Sequence, residues 1–266
     1  MSKIIKLLGI FIMLINFEAV AKKSNFATAN NAADVVKQLK HLPKDSVIFF
    51  DIDDSIITPA SKTFRSAPHN QLIDDIKKNK DQYHNYHEIV SNWRLQRKVM
   101  LLDQNWPNAL AALKEKFPVY GLTKMDAGKF GNIKSMEQWR YQELKSLKVE
   151  FSENHDIPHE SREHGAFDHG IFYTGAFSKS KTLEQYLSYF PVQTIVLIDD
   201  RLDHLEDVQK FCLKHSIGFV GILFKGLEQL NESPDPAIAD FQKHHLINNA
   251  EWLEDDVAAK RLARLK

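Results

Sequence analysis

Cysteine is all but absent: Cys212 is alone among 266 residues. That excludes an internal disulfide framework, a four-thiolate zinc site and a C-x-x-C redox centre, and leaves oxygen and imidazole as the main donors for any metal. An excess of one charge is missing too. Thirty-five Lys plus Arg offset thirty-five Asp plus Glu, so no net field draws the chain to a nucleic-acid duplex or an anionic bilayer. Glycine and proline are sparse, at ten and nine, and 43% of the residues are hydrophobic against 26% charged. Disorder and collagen-like repeats are thereby excluded, and one sizeable soluble core is expected.

A long hydrophobic run is also lacking, and its absence decides how the N-terminus is read. Lys3 and Lys6 precede a mostly apolar stretch, residues 7–17, which is followed by Ala19-Val20-Ala21. The stretch is about half the roughly 20 residues that a membrane-spanning helix needs. The layout is that of a secretory signal, residues 1–21, with an A-x-A cleavage site after Ala21. The expectation is an exported chain, periplasmic or secreted, that begins near Lys22 and keeps no stable membrane anchor. Loss of Lys3, Lys6 and Glu18 leaves it within one charge of neutral.

What is present is a series of short apolar runs, each with a polar ending. Val47-Ile48-Phe49-Phe50 ends in Asp51-Ile52-Asp53-Asp54, residues 119–122 end in Thr123, residues 170–173 in Thr174, and residues 194–198 in Asp199-Asp200. A fifth run covers 218–224. Continuous apolar runs are the mark of parallel strands buried on both faces. Helical stretches at 109–117 and 182–189 alternate with them, so the pattern predicts an α/β fold with a doubly wound parallel sheet. Residues 22–57 are the lead-in and first core strand. Residues 58–105 exceed a simple crossover and are polar, helical and aromatic, which predicts a small helical cap inserted after that strand. Residues 106–232 complete the core, with a helix near 135–147 and a His-rich loop at 154–169. Residues 233–266 form a C-terminal helical tail that ends in a charged helix, 251–266.

In an open α/β sheet the ligand site lies beyond the carboxyl ends of the strands. Asp51, Asp53, Thr123, Asp199 and Asp200 are therefore expected to converge. Asp51 and Asp53 are two apart and leave the same side of an extended strand end, so that one carboxylate can attack while the other handles protons. A third carboxylate from the last strand end calls for a hard cation with oxygen ligands, for which Mg2+ fits. A hydroxyl and a lysine complete a phosphate cradle.

These motifs resemble the haloacid dehalogenase (HAD) superfamily of phosphohydrolases. Its D-x-D-x-[TV] motif matches Asp51-Ile52-Asp53-Asp54-Ser55, its strand ending in Thr matches Val119-Tyr120-Gly121-Leu122-Thr123, its lysine near a helix start matches Lys179-Ser180-Lys181-Thr182-Leu183, and its acidic pair matches Asp199-Asp200. All four occur in order over residues 47–224. The resemblance implies a HAD-like Rossmannoid core in which Asp51 is the nucleophile that forms an aspartyl-phosphate, and Asp53 is the general acid and base. It implies Mg2+ on the side chains of Asp51 and Asp200 and the backbone carbonyl of Asp53, with Thr123 and Lys179 holding the phosphoryl oxygens. Lys181 is the alternative lysine, and Asp199 or Asp203 would orient the lysine or a metal-bound water. Asp54 stands where many members have glycine. Asp-Ile-Asp-Asp is also similar to the first motif of exported class B acid phosphatases, and the whole chain resembles an uncharacterised family of exported bacterial HAD-like proteins. The implied activity is phosphomonoester hydrolysis on small phosphorylated metabolites or nucleotides. Its rivals are a non-catalytic HAD-like protein that binds a phosphorylated ligand or a host partner, and a phosphotransferase on the same scaffold.

Other polar features read as structural. His155, His159, His164 and His169 have zinc-like spacing, but Pro158 interrupts any helix that would align the first pair, which favours a solvated loop. Arg65, Arg94, Arg97 and Lys98 in the cap are candidates to meet a substrate, and Tyr83, Tyr86 and Trp93 to stack on a base or sugar, with none of them singled out; Trp93 and Leu101 are rather expected to pack the cap onto the core.

Overall fold

Ser46–Phe50, here β2, is buried along its whole length, and its side chains alternate strictly between two apolar clusters. Ile48 and Phe50 face one cluster, Val47 and Phe49 the other. Thr194–Asp199 (β9) does the same from Ile195 onward, with Val196 and Ile198 opposed to Ile195 and Leu197. A strand that buries both faces needs a helical layer on each side, which is why these runs carry no polar alternation.

The computed structural model describes residues 26–65, 76, 80–158, 161–162, 165–189, 192–230 and 232–265. The expected signal peptide lies outside the described residues. Among those described, an eight-stranded sheet runs in the order β1-β10-β9-β2-β5-β8-β7-β6. Its other strands are Ala27–Ala29 (β1), Val119–Thr123 (β5), Ser161–Arg162 (β6), Gly165–Asp168 (β7), Ile171–Tyr173 (β8) and Gly218–Phe224 (β10). The strands from β1 to β8 in that spatial order pair in parallel, and β7 and β6 add on antiparallel. The chain winds outward from β2 through β5 to β8, then crosses back to β9 on the other side of β2. The doubly wound parallel α/β fold is thus as expected, with its switch point between β2 and β9.

Ala32–Gln38 (α1), Trp106–Lys114 (α3) and Met136–Ser146 (α4) supply Val35, Leu110 and Leu144 to one face of the sheet. Lys179–Tyr186 (α5) and Leu202–Lys214 (α6) supply Leu183, Leu205, Val208 and Cys212 to the other. Trp106 is fully buried against Phe50 and Phe224 at 5.4 Å from each ring. At roughly 1.5–3 kcal/mol for each large side chain withdrawn from water, these layers hold the molecule together.

The sequence reading missed several elements. The polar lead-in contains β1 and α1, the first paired to the sheet edge and the second capped by Asn31 accepting from Asp34 N at 2.9 Å. The His-rich stretch is not wholly a loop: β7 turns back through His169 and Gly170, both at positive φ, to pair with β8. The charged C-terminal helix begins at Asp255, since residues 251–254 carry no regular structure and Glu254 holds an extended backbone at the helix start.

The insertion after β2 enters and leaves through a two-stranded antiparallel ribbon, Ile57–Pro59 (β3) with Val99–Leu101 (β4). Between them lies the helix Tyr86–Gln96 (α2). Leu101 joins the main core, as expected. Trp93 does not; it stacks on Phe64 at 4.3 Å within a separate cluster that includes Leu246 and Trp252 of the tail. The tail helices, Pro236–Asn249 (α7) and Asp255–Ala263 (α8), therefore roof the insertion rather than stand apart. Asp255 clamps the contact, accepting from Ser61 Oγ at 2.5 Å, Lys62 N at 3.0 Å and Gln242 Nε2 at 2.9 Å.

Candidate active site

Register places the first two acids. Phe50 is level with Ile198 across β2 and β9, and Asp51 N donates to Ile198 O at 2.8 Å, so Asp51 and Asp199 leave adjacent strand ends side by side. Beyond Asp51 the chain folds into a tight loop: the amides of Ile56 and Ile57 donate to Ile52 O at 2.9 and 3.0 Å, and Asp54 N donates to Ile57 O at 2.7 Å. Asp54 carries the reversal at φ +62°, a left-handed conformation that aspartate adopts more readily than most side chains. Its carboxylate accepts from Thr58 Oγ1 at 2.8 Å. Asp54 thus serves the loop, and glycine would suit the same backbone.

Lys179 is the first residue of α5 and is buried, with only 1% of its surface exposed. Its Nζ donates to Asp51 Oδ1 and, at 2.5 Å, to Asp199 Oδ2. Ser178 caps the helix, and Ser180 ties its start to α6 by donating from N and Oγ to Asp207 at 3.0 and 2.8 Å. Burial works against the lysine charge, yet Asp199 and Asp51 outweigh it and hold the ammonium above its ordinary pKa. Lys181 points elsewhere and pairs with Glu184 at 2.7 Å on the surface.

Asp199 is saturated. Besides Lys179 it accepts from Arg201 N at 3.0 Å and meets His204 Nδ1 at 3.1 Å. Against the cost of burial, Lys179 and His204 hold its pKa below the carboxylate range. Asp51 and Asp200 are in the opposite condition. Burial pushes Asp51 up to about 7 despite Lys179, with Asp199 and Asp53 adding repulsion. Burial pushes Asp200 up to about 9, with repulsion from Asp51, Asp199 and Asp54 behind it. Thr123 ends β5, 2% exposed, on the other side of β2 from Asp199. Asp203 lies outside this cluster: it is a surface residue whose carboxylate pairs with Arg201 at 2.6 and 3.1 Å.

Asp53 faces a second group of charges. Arg140 Nη2 donates to it at 2.7 Å and Arg97 Nη2 lies 3.7 Å away. Burial opposes its charge, but Arg140 and Arg97 prevail and lower its pKa. Glu143 completes the set, accepting a fork from Arg97 at 3.0 Å for each bond and Arg140 Nη1 at 2.6 Å. A cavity of about 170 Å³ opens here between Asp53 and the insertion. The sequence reading passed over Arg140, although a signal existed: Met136, Arg140 and Leu144 repeat at intervals of four on the buried side of α4. An arginine on a buried helix stripe needs carboxylate partners, and here it finds two.

Any hard cation would draw on this floor. One group among the described residues, Asp51, Asp199 and His204, brings potential ligand atoms within 4.8 Å of one another. The Asp199 oxygens are already committed, whereas Asp51 keeps its Oδ2 and Asp200 accepts no hydrogen bond from the described residues. In the His-rich stretch, His159 and His164 lie outside the described residues, and His169 stacks on Tyr141 at 3.7 Å between ring centres.

Comparison with known proteins gives a family without an assigned chemistry. The profile of the family described as "Protein of unknown function (DUF2608)" matches residues 28–259. Uncharacterized protein RP296 of Rickettsia prowazekii (strain Madrid E) is 30% identical over 236 residues, which cover 84% of this chain and 85% of that protein. No solved structure matches.

Proposed function

Within the DUF2608 family, to which this chain belongs, we propose that it is an exported, Mg2+-dependent phosphomonoester hydrolase of the HAD type, acting on small phosphorylated compounds. The observation that carries this reading is Lys179 bridging Asp51 and Asp199 at the switch point of the sheet. Three chemically active groups from three separated stretches of chain meet there, in the crevice where open α/β sheets bind ligands. Asp51 Oδ1 is fixed by Lys179, which leaves Oδ2 to attack phosphorus and form an aspartyl-phosphate. Thr123 and Lys179 flank the phosphoryl oxygens and take up charge as it redistributes. Asp53 protonates the leaving oxygen and then takes a proton from the water that hydrolyses the intermediate. Arg140 keeps Asp53 ionised at rest, the form the second step needs, so acidic leaving groups should turn over faster than alkyl ones.

The donor set fits a hard divalent cation. Asp51, Asp54, Asp199 and Asp200 crowd together against Lys179 and His204, and the acids left with raised pKa values are those that lack a full set of partners. The side chains of Asp51 and Asp200 and the carbonyl of Asp53 would hold Mg2+, which when bound screens the nucleophile from the phosphate and polarises the phosphoryl group.

The test is release of phosphate from an aryl phosphate by the purified protein, with Mg2+ or with chelator, beside Asp51→Asn and Asp53→Asn. Metal-dependent turnover lost in both variants is the expected result; equal turnover by Asp51→Asn would sink the nucleophile assignment. An added acceptor alcohol that captured the phosphate would turn the reading to phosphotransfer. N-terminal sequencing should find Lys22 first if the leader is cleaved. Among the described residues, no helix is long and apolar enough to cross a membrane.

A further inference from the structure

The roof of the cavity carries a cation that the proposed chemistry does not use. Arg94, on α2, lines it with Arg97, Arg140 and Lys124. Only 15% of the Arg94 side chain is exposed, yet among the described residues its nearest carboxylate is Asp126 at 3.9 Å, itself 54% exposed. Its one hydrogen bond among the described residues is from Nη1 to Met136 Sδ at 3.7 Å. Its position is nevertheless fixed, because the guanidinium lies over the Phe130 ring at 4.5 Å and near Trp139 at 5.9 Å. The neighbouring arginines differ. Arg97 and Arg140 are matched by Glu143 and Asp53 in bonds of 2.6–3.0 Å. Burial, with Arg97 adding repulsion, brings Arg94 down to about 10.

A guanidinium withdrawn from water with only a weak thioether acceptor and a carboxylate at the edge of ion-pair distance is costly unless something else supplies strong acceptors, and an anion does so best. Asp53 sits on the leaving-group side of the proposed reaction, and Asp53 and Arg94 line one cavity. We propose that Arg94 binds a second anionic group on the leaving alcohol, so that the substrates are small phosphomonoesters that also bear a carboxylate or a second phosphate. A volume of about 170 Å³ admits a short alcohol of this kind. The inference rests on the phosphatase reading for the placement of the ester, but the anion site itself can be tested without turnover.

The test compares matched esters: propyl phosphate, phosphorylated 3-hydroxypropanoate and propanediol bisphosphate. The purified protein should prefer one or both anionic esters over propyl phosphate by roughly 10- to 100-fold in kcat/KM, the range of a charge-assisted contact. Arg94→Gln should bring that ratio close to one, and Arg94→Lys should restore part of it. The ratio is taken on one preparation, so a loss of correctly folded protein cancels. A ratio near one in the unmutated protein, or an undiminished ratio in Arg94→Gln, overturns the proposal. If none of these esters is turned over, calorimetry decides the anion site, and the phosphatase reading fails only if the aryl phosphate is inert as well. Phosphonobutanoate binding at least tenfold tighter than butylphosphonate, with the difference lost in Arg94→Gln, upholds it; equal binding, or a difference that survives the substitution, overturns it.

Discussion

The floor and the roof of the cleft hold like charges together in opposite senses. On the floor, Asp51, Asp199 and Asp200 crowd around one lysine, and burial with mutual repulsion drives Asp200 up to about 9. On the roof, Arg94 shares its surroundings with Arg97 and Arg140, and burial drives it down to about 10. Between them, Asp53, Glu143, Arg97 and Arg140 satisfy one another. Burying an ion that its neighbours do not neutralise opposes folding, and the fold bears that cost only where the rest of the structure over-determines the position. Among the arginines, Arg97 and Arg140 thus read as the support of Asp53, and Arg94, hydrogen-bonded to no carboxylate among the described residues, as the place where an anion would belong.

The largest expected effect comes from the floor. Asp51→Asn should lower kcat by about 10³-fold or more, since the nucleophile of a two-step displacement has no substitute, while thermal unfolding of the cation-free variant stays at or above that of the unmutated protein. A variant that lost both activity and stability would make Asp51 structural.

Next is the contrast between two arginines. Arg140→Met removes a buried guanidinium from Asp53, 41% exposed, and from Glu143, which keeps Arg97, and should destabilise by ~1.5–3 kcal/mol in urea unfolding. Arg94→Gln, whose guanidinium hydrogen-bonds no carboxylate among the described residues, should change stability by less than ~1 kcal/mol. Similar losses in both would break the distinction between scaffold and site.

A smaller effect links metal and pH. The raised pKa values of Asp51 and Asp200 mean that the folded protein binds those protons more tightly than the unfolded chain does. Their contribution to stability is complete below the ordinary carboxylate value and is lost as pH rises through about 7 and about 9. Asp53 and Asp199, with lowered values, contribute in the opposite sense: their share is present above the ordinary value and lost in acid. If Mg2+ binds as proposed it would prefer the ionised floor, so its stabilisation, ~1–3 kcal/mol near saturation, should be larger at pH 8 than at pH 5 in thermal unfolding. An equal shift at both values would place the cation elsewhere.

The smallest is a control. Lys181→Ala removes only an exposed pair with Glu184 and should leave stability within about 0.5 kcal/mol and turnover unchanged. A large loss of turnover there would return the phosphate role to Lys181.

The choice between Lys179 and Lys181 was open in the sequence reading, although a signal for it existed. Lys179, Thr182, Leu183 and Tyr186 recur at helical spacing and form the buried face of α5. A lysine on that stripe must find acids, whereas Lys181 falls on the other side. Arg140 carried the same kind of signal on α4. The three-residue β1 gave little to read, because so short an edge strand has no periodicity, and β7 was hidden among polar residues. The tail could not be joined to the insertion in advance: Phe64 and Trp252 meet at 4.7 Å across nearly two hundred residues, and no local pattern records such a pairing.

The sequence by itself determined the layered α/β fold and the acids that end its central strands, since unbroken apolar runs leave no arrangement but a sheet covered on both faces. Only the tertiary structure decided that Lys179 spans Asp51 and Asp199, that Asp203 stays on the surface, and that Arg140 is hydrogen-bonded to two carboxylates while Arg94, among the described residues, is hydrogen-bonded to none. Those outcomes depend on distances of a few ångströms between segments remote in the chain, and the energy of a buried charge is set by what stands within that distance.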